Sequence, residues 1–137
     1  PCPHAVGDAA GFCDGLTGEG IYYAIKSGEL AAEVIINSLE KYPEGVSSEN
    51  LKKYETLWKK EFGKDLKDSV KLRKLINENE RKINFAIKAC AENSQWGDLA
   101  ANIFVGLIPY HKMFHSILRK PTLLKYFLKL KLMDIRS

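Results

Sequence analysis

Gly7-Asp8-Ala9-Ala10-Gly11-Phe12-Cys13-Asp14-Gly15-Leu16-Thr17-Gly18-Glu19-Gly20-Ile21 decides how the rest of the chain is read. It holds five of the 10 glycines, and after Gly20 the glycine spacing gives way to a long helical pattern. Glycine lets a ligand or a second backbone come close, and the first N–H groups of a helix have no intrahelical partner. A glycine-rich loop running into a helix N-terminus therefore suits an anion or the polar edge of a ligand. The same spacing also suits a tight strand-to-helix connection that holds no ligand. The third glycine of a dinucleotide fingerprint is missing, because Gly18-Glu19-Gly20 is followed by Ile21, Tyr22 and Tyr23. No strand of useful length precedes the loop, so the stretch is not read as the first βα turn of a Rossmann domain.

Gly7-Asp8-Ala9-Ala10-Gly11, then Leu16-Thr17-Gly18-Glu19-Gly20-Ile21, then Ala24 and Ser27-Gly28, resemble the second flavin-binding motif of the geranylgeranyl reductase family. That family belongs to the p-hydroxybenzoate hydroxylase-like group of FAD enzymes. The resemblance is dense from Val6 to about Ile35 and thins beyond it to residues such as Tyr54, Trp58, Glu61, Phe62 and Gly63. It implies FAD as cofactor, with Gly7, Asp8, Gly18, Gly20 and Ile21 in its site. Asp8, at the end of a short strand, would accept hydrogen bonds from the ribityl hydroxyls. Gly20 and Ile21 would offer backbone N–H groups to the pyrimidine edge. Reduced flavin carries negative charge near N1 and O2, and a helix N-terminus carries partial positive charge. The family usually has proline where this chain has Gly15. Proline would fix the loop, and Gly15 leaves it looser.

The resemblance also implies what this sequence does not contain. The family carries a first strand, a GxGxxG turn and an acidic residue for the ribose near its N-terminus, and a substrate-binding sheet between its two flavin motifs. The chain is expected to correspond to roughly the last third of such an enzyme. Pro1-Cys2-Pro3-His4 is a poor central strand, with two prolines in four residues. The implied activity is saturation of isoprenoid double bonds, in membrane lipid precursors or in the chlorophyll side chain. Hydride would pass from the flavin to the alkene and a proton would come from an acid. The stretch that supplies the catalytic acid in the family is not in this sequence, so no catalytic residue and no electron donor is assigned. The alternative is of another class: a non-catalytic helical fragment or interaction module, whose half of a flavin site lacks the adenine and pyrophosphate contacts.

Composition narrows the rest. At 137 residues there is room for one modest domain. A charged fraction of 28%, with both signs mixed, excludes a multispan membrane protein. No run of about 18 uncharged apolar residues suggests a transmembrane helix. The chain begins at Pro1 and shows no signal-peptide pattern. Cys2, Cys13 and Cys90 are scattered with no CxxC pair, which reads as free thiols in a reducing, cytoplasmic setting. Cys13, inside the glycine loop, is read as a small space-filling residue.

The expected fold is mainly α. Residues 1–41 would be the end of an FAD-binding domain: short strand, glycine loop and long helix, the C-terminal remnant of an α/β FAD-binding fold. Residues 48–137 would be a helical C-terminal region with a basic amphipathic end. The first helix runs from about 20 to 41, with Ile21, Ala24, Ile25, Leu30, Val34, Ile35 and Leu39 on an apolar face. Gly28 inside it costs about 1 kcal/mol relative to alanine, which points to close packing on another backbone. Tyr42-Pro43-Glu44-Gly45 ends it. Ser47 or Ser48 caps a second helix, with Glu49 in its first turn, that runs to about Phe62, where Gly63 breaks or bends it. A long pattern from about Asp65 to Ala91 carries a seam of Leu72, Leu75, Ile76, Ile83, Ala86, Ile87 and Cys90. Asn79 lies in that seam and is read as an edge position. Asn93 or Ser94 restarts a helix to about Phe104, ended by Gly106 and Pro109. Pro121-Thr122 starts the last.

From Leu107 on, seven cations (Lys112, Arg119, Lys120, Lys125, Lys129, Lys131 and Arg136) meet one acid, Asp134, for a net +6 in a chain whose total is +4, so the first 106 residues carry about −2. A basic helix with Leu123, Leu124, Phe127, Leu128, Leu130 and Leu132 reads either as a peripheral contact on the inner face of a membrane or as a terminal helix packed on its own domain. Nucleic acid is not the expected partner, because the lysines alternate with leucines and not with stacking aromatics. His111 and His115 stand i, i+4 without a third ligand and are read as ordinary histidines, so no metal site is assigned. Glu78 and Glu80 lie two apart on a helix, face different ways and are read as solvated.

Overall fold

The computed structural model describes residues 5–77 and 79–133. Expectations about Pro1–His4 with Cys2, about Glu78, and about Asp134 and Arg136 lie outside the described residues. The order is a short 3-10 turn, Gly7–Ala10, then α1 (Ile21–Lys41), α2 (Ser48–Trp58), a π-helical turn (Lys59–Gly63), α3 (Lys64–Ile76), α4 (Glu80–Glu92), α5 (Ser94–Phe104), α6 (Tyr110–Arg119) and α7 (Pro121–Leu132). The mainly helical fold is therefore as the sequence implies. The short strand before the loop is not: no strand occurs among the described residues. Val6 is extended, but the chain turns into the 3-10 segment directly after it. An extended segment needs a neighbouring strand for its backbone groups, and no sheet occurs among the described residues to receive it.

The chain divides into two compact units, with the boundary between Lys67 and Asp68. In the first, α1 and α2 pack together as a helical hairpin. Ser47 caps α2, its side chain accepting the Asn50 N–H. Leu30, Ala31 and Val34 of α1 meet Leu51, Tyr54 and Leu57 of α2 around the buried Phe12 and Phe62. The π turn sits where Gly63 was expected to interrupt the helix. A Cβ on Gly63 would lie 3.3 Å from the Trp58 ring, so glycine admits the indole there. The widened turn places both Trp58 and Phe62 on Phe12, with ring centroids 4.7 and 5.1 Å away.

The apolar face of α1 is only half used. Tyr23 and Val34 are buried, while Ile21 is 75%, Ile25 61% and Ile36 58% exposed. Gly28 belongs to this bare side: among the described residues nothing lies within 4 Å of where its Cβ would stand. The backbone expected to pack on it is not among them.

In the second unit the long 65–91 pattern is two helices. α3 ends at Ile76 and α4 starts at Glu80. Asn79 is neither seam nor edge: it is the N-cap of α4, and its carboxamide oxygen accepts the Lys82 N–H at 3.0 Å. Capping here outweighs the apolar periodicity that runs through the break. Asn93 ends α4 and caps α5, accepting from Trp96 N–H. A Cβ on Gly97 would stand 3.0 Å from the Cys90 carbonyl oxygen, so glycine allows the first turn of α5 to meet the last of α4. α7 lays Leu123 and Leu130 into this unit, and Tyr126 and Phe127 reach Phe85 and Phe114 at 6.1 Å each. Leu128 and Leu132 of the same helix stay exposed.

Gly28→Ala should stabilise this chain by about 1 kcal/mol, since the position is helical and open. Urea unfolding followed by circular dichroism checks it, and a destabilised variant would show that a backbone does approach Gly28.

Candidate functional site

The loop is pinned before it reaches α1. Gly7 N–H donates to the Ser27 hydroxyl at 3.0 Å, and that hydroxyl donates to the Ala24 carbonyl at 3.0 Å. Ser27 is fully buried. Tyr54 on α2 donates to the Ala5 carbonyl at 3.0 Å and lies beside Ser27. Gly7 has φ +56°, and a Cβ there would stand 3.1 Å from the Ala24 methyl, so both conformation and space require glycine.

Asp14 then shapes the loop itself. It is buried, and its Oδ1 accepts the N–H groups of Leu16 and Thr17 at 2.8 Å each. Its backbone N–H donates to the Glu19 carbonyl at 2.7 Å, and its carbonyl accepts Gly18 N–H at 3.0 Å. The turn around Gly15 is thus fixed by a side chain. Gly18 follows with φ +76° and open space around it. The sequence reading passed over Asp14. The signal was an aspartate two and three residues before Leu16 and Thr17, the spacing of an Asx turn.

At the start of α1 the expected residues do come together. Gly20 is the N-cap, and a Cβ on it would stand 2.9 Å from Asp8 Oδ1. An exposed carboxylate is thus set against the first residue of the helix. Glu19 Oε1 accepts the Tyr22 N–H at 2.8 Å and takes one of the helix's open donors. The N–H groups of Gly20 and Ile21 donate to no described residue. Ile21 is exposed and Gly20 half-buried. Tyr23, one turn in, is buried; desolvation first, then the charges of Asp14, Asp65 and Glu19, hold its hydroxyl well above its ordinary range. It stays a neutral core phenol at any physiological pH.

Chemistry elsewhere is sparse. Among the described residues no group of three or more His, Cys, Asp or Glu side chains could hold a metal. His111 is half-buried and His115 exposed on α6. Cys13 is exposed, its thiol 3.2 Å from the Gly18 carbonyl, and burial pushes the Cys90 thiol above its usual range. No described helix is long and apolar enough to cross a membrane.

Three comparisons bear on this arrangement. The chain is 31% identical over 89% of its length to digeranylgeranylglycerophospholipid reductase of Methanococcus aeolicus, covering 28% of that protein. It is 36% identical over 89% of its length to the reductase of the same name from Methanocaldococcus jannaschii, again covering 28%. It is 34% identical over 64% of its length to the chloroplastic geranylgeranyl diphosphate reductase of Nicotiana tabacum, covering 19%. The matches fall in the C-terminal part of these proteins. The chain therefore spans less than a third of the length of the curated relatives it matches. No family model and no solved structure matches it. The resemblance read from the glycine loop thus extends along most of the chain.

Asp14→Ala should loosen the loop while leaving the hairpin folded. Losing two hydrogen bonds to a charged acceptor costs about 2 kcal/mol locally. Amide exchange at Leu16 and Thr17 should then quicken about 30-fold. Unchanged exchange by NMR would mean that the carboxylate does not hold the turn.

Proposed function

We propose, from a chain related over 89% of its length to digeranylgeranylglycerophospholipid reductases, that this polypeptide is the C-terminal part of an FAD-dependent geranylgeranyl reductase. Such an enzyme saturates isoprenoid double bonds of membrane lipid precursors. The observation that carries the reading is the pair of unpartnered N–H groups at Gly20 and Ile21, with the Asp8 carboxylate set beside Gly20. Two adjacent donors at a helix N-terminus suit the two acceptors of a pyrimidine edge. An exposed carboxylate next to them accepts from hydroxyls and repels phosphate, which favours the ribityl and ring end of FAD over its pyrophosphate. The residues present therefore fit that part of the cofactor.

In this reading Gly7, Gly18 and Asp14 shape the loop, Asp8 binds the polyol, and Gly20 and Ile21 orient the ring edge. FAD, when bound, supplies the hydride chemistry. The chain's own part is to bind and orient, and the dipole of α1 favours negative charge on the ring edge. The bare face of α1, from Ile21 to Ile36, would pack on the rest of the flavin domain, and residues 48–137 would form the helical region over the lipid substrate. The basic C-terminal region would give the enzyme a peripheral place on the inner membrane face, next to its isoprenoid lipid.

A fluorescence titration should find FAD binding to the 137-residue chain weak or absent, since the adenine and pyrophosphate contacts lie outside it. In a longer polypeptide that includes the fingerprint, Asp8→Ala should lower flavin affinity about tenfold or more, the worth of a hydrogen bond to a charged group. Its helical circular dichroism should stay the same. Full flavin occupancy in that variant would remove Asp8 from the site.

A further inference from the structure

The turn between α5 and α6 carries apolar side chains that nothing in its own unit covers. Phe104 is 61%, Val105 68% and Leu107 73% exposed. They do not sit on a slack loop. Gly106, at φ +72°, donates to the Ile103 carbonyl at 3.0 Å, and Leu107 N–H donates to the Asn102 carbonyl at 2.8 Å. This is the paired hydrogen bonding of a Schellman motif, and Ile108 N–H adds a third bond, to Asn102, at 3.2 Å. Such a motif ordinarily folds the residue after its glycine back onto an apolar residue of the last helical turn. Here that last turn offers Asn102, whose side chain donates to the Asp98 carbonyl, and Leu107 points outward instead. Pro109 then starts α6. The result is a fixed, outward apolar tip.

The stretch of chain that holds this turn has one sign of charge from Leu99 to Met133. Between Leu99 and Met133 there is no acidic residue, while Lys112, Arg119, Lys120, Lys125, Lys129 and Lys131 all lie there. All six are exposed. On α7, Leu123 and Leu130 are buried while Leu128 and Leu132 are 48% and 56% exposed, less than the three apolar side chains of the turn.

We propose that the Phe104–Leu107 turn is a membrane wedge: it enters the headgroup region of an anionic lipid surface, and the cations of α6 and α7 bind that surface around it. Charge chooses the occupant. An acid-free stretch of six cations attracts anionic headgroups and opposes a second copy of itself. Apolar side chains held outward then add burial that charge alone does not. The proposal deepens the membrane contact in the reading above by moving insertion from α7 to the α5–α6 turn, and it is independent of the flavin site.

The test is flotation of the 137-residue chain with phosphatidylcholine vesicles, with and without phosphatidylglycerol. The parent chain should float with the anionic vesicles only, less so at high salt. Phe104→Ser/Val105→Ser/Leu107→Ser should lose about tenfold or more in partitioning, with circular dichroism unchanged because all three side chains are exposed. Lys112→Gln/Lys120→Gln/Lys125→Gln should also lose binding and flatten the salt dependence. As a direct probe, Leu107→Trp should shift blue and be quenched by brominated lipid. If the serine variant binds like the parent, or the new Trp is not quenched, the wedge is wrong. If the lysine variant alone fails, contact is electrostatic only and the wedge falls while the membrane contact stands. If the parent does not float, both fall, and the apolar turn belongs to a protein interface.

Discussion

Two buried hydroxyls fix where the glycine loop begins, and the rest of the first unit follows from them. Ser27 accepts from Gly7, and Tyr54 donates to Ala5 across 49 residues of sequence. The loop is thereby tied to both helices of the hairpin before it turns toward the start of α1. Removing the Ser27 hydroxyl would strand the buried Gly7 N–H, a larger cost than the bond's own net worth. This explains a glycine at position 7 and a serine in the middle of a helix, where neither is favoured locally.

From that anchor the loop returns to the N-terminus of α1 with three carboxylates close by. Their roles are separate. Asp14 is buried and holds the turn, Glu19 caps Tyr22, and Asp8 stands against Gly20. A helix N-terminus welcomes negative charge, so each is locally favourable. Beside them, the N–H groups of Gly20 and Ile21 donate to no described residue.

Helix starts were legible wherever the capping chemistry is local. Ser47, Asn93 and Pro121 mark the starts of α2, α5 and α7. Asn79 carries the same chemistry, but the apolar repeat continues on both sides of it, and periodicity alone joined two helices into one. The π turn at Lys59–Gly63 depends on how Trp58 and Phe62 reach Phe12, a contact some 46 to 50 residues away, and no local pattern encodes it. Of the site, Gly7, Asp8, Gly20 and Ile21 were visible through the family motif. Asp14 was visible only through turn chemistry, and the Ser27–Tyr54 anchor not at all, because a hydroxyl's partner is decided by packing. The strand was expected because the motif has one, but a strand is a property of a sheet and cannot be read from one segment.

The two units also differ in charge. Up to Lys67 the sequence has 8 cations and 11 acids; from Asp68 on it has 13 cations and 6 acids. Asp8, Asp14 and Glu19 lie near the start of α1, and six of the second unit's cations lie from Lys112 to Lys131. A phosphate group is opposed by the carboxylates of Asp8 and Glu19 and attracted by the ammonium groups of Lys112 and Lys125.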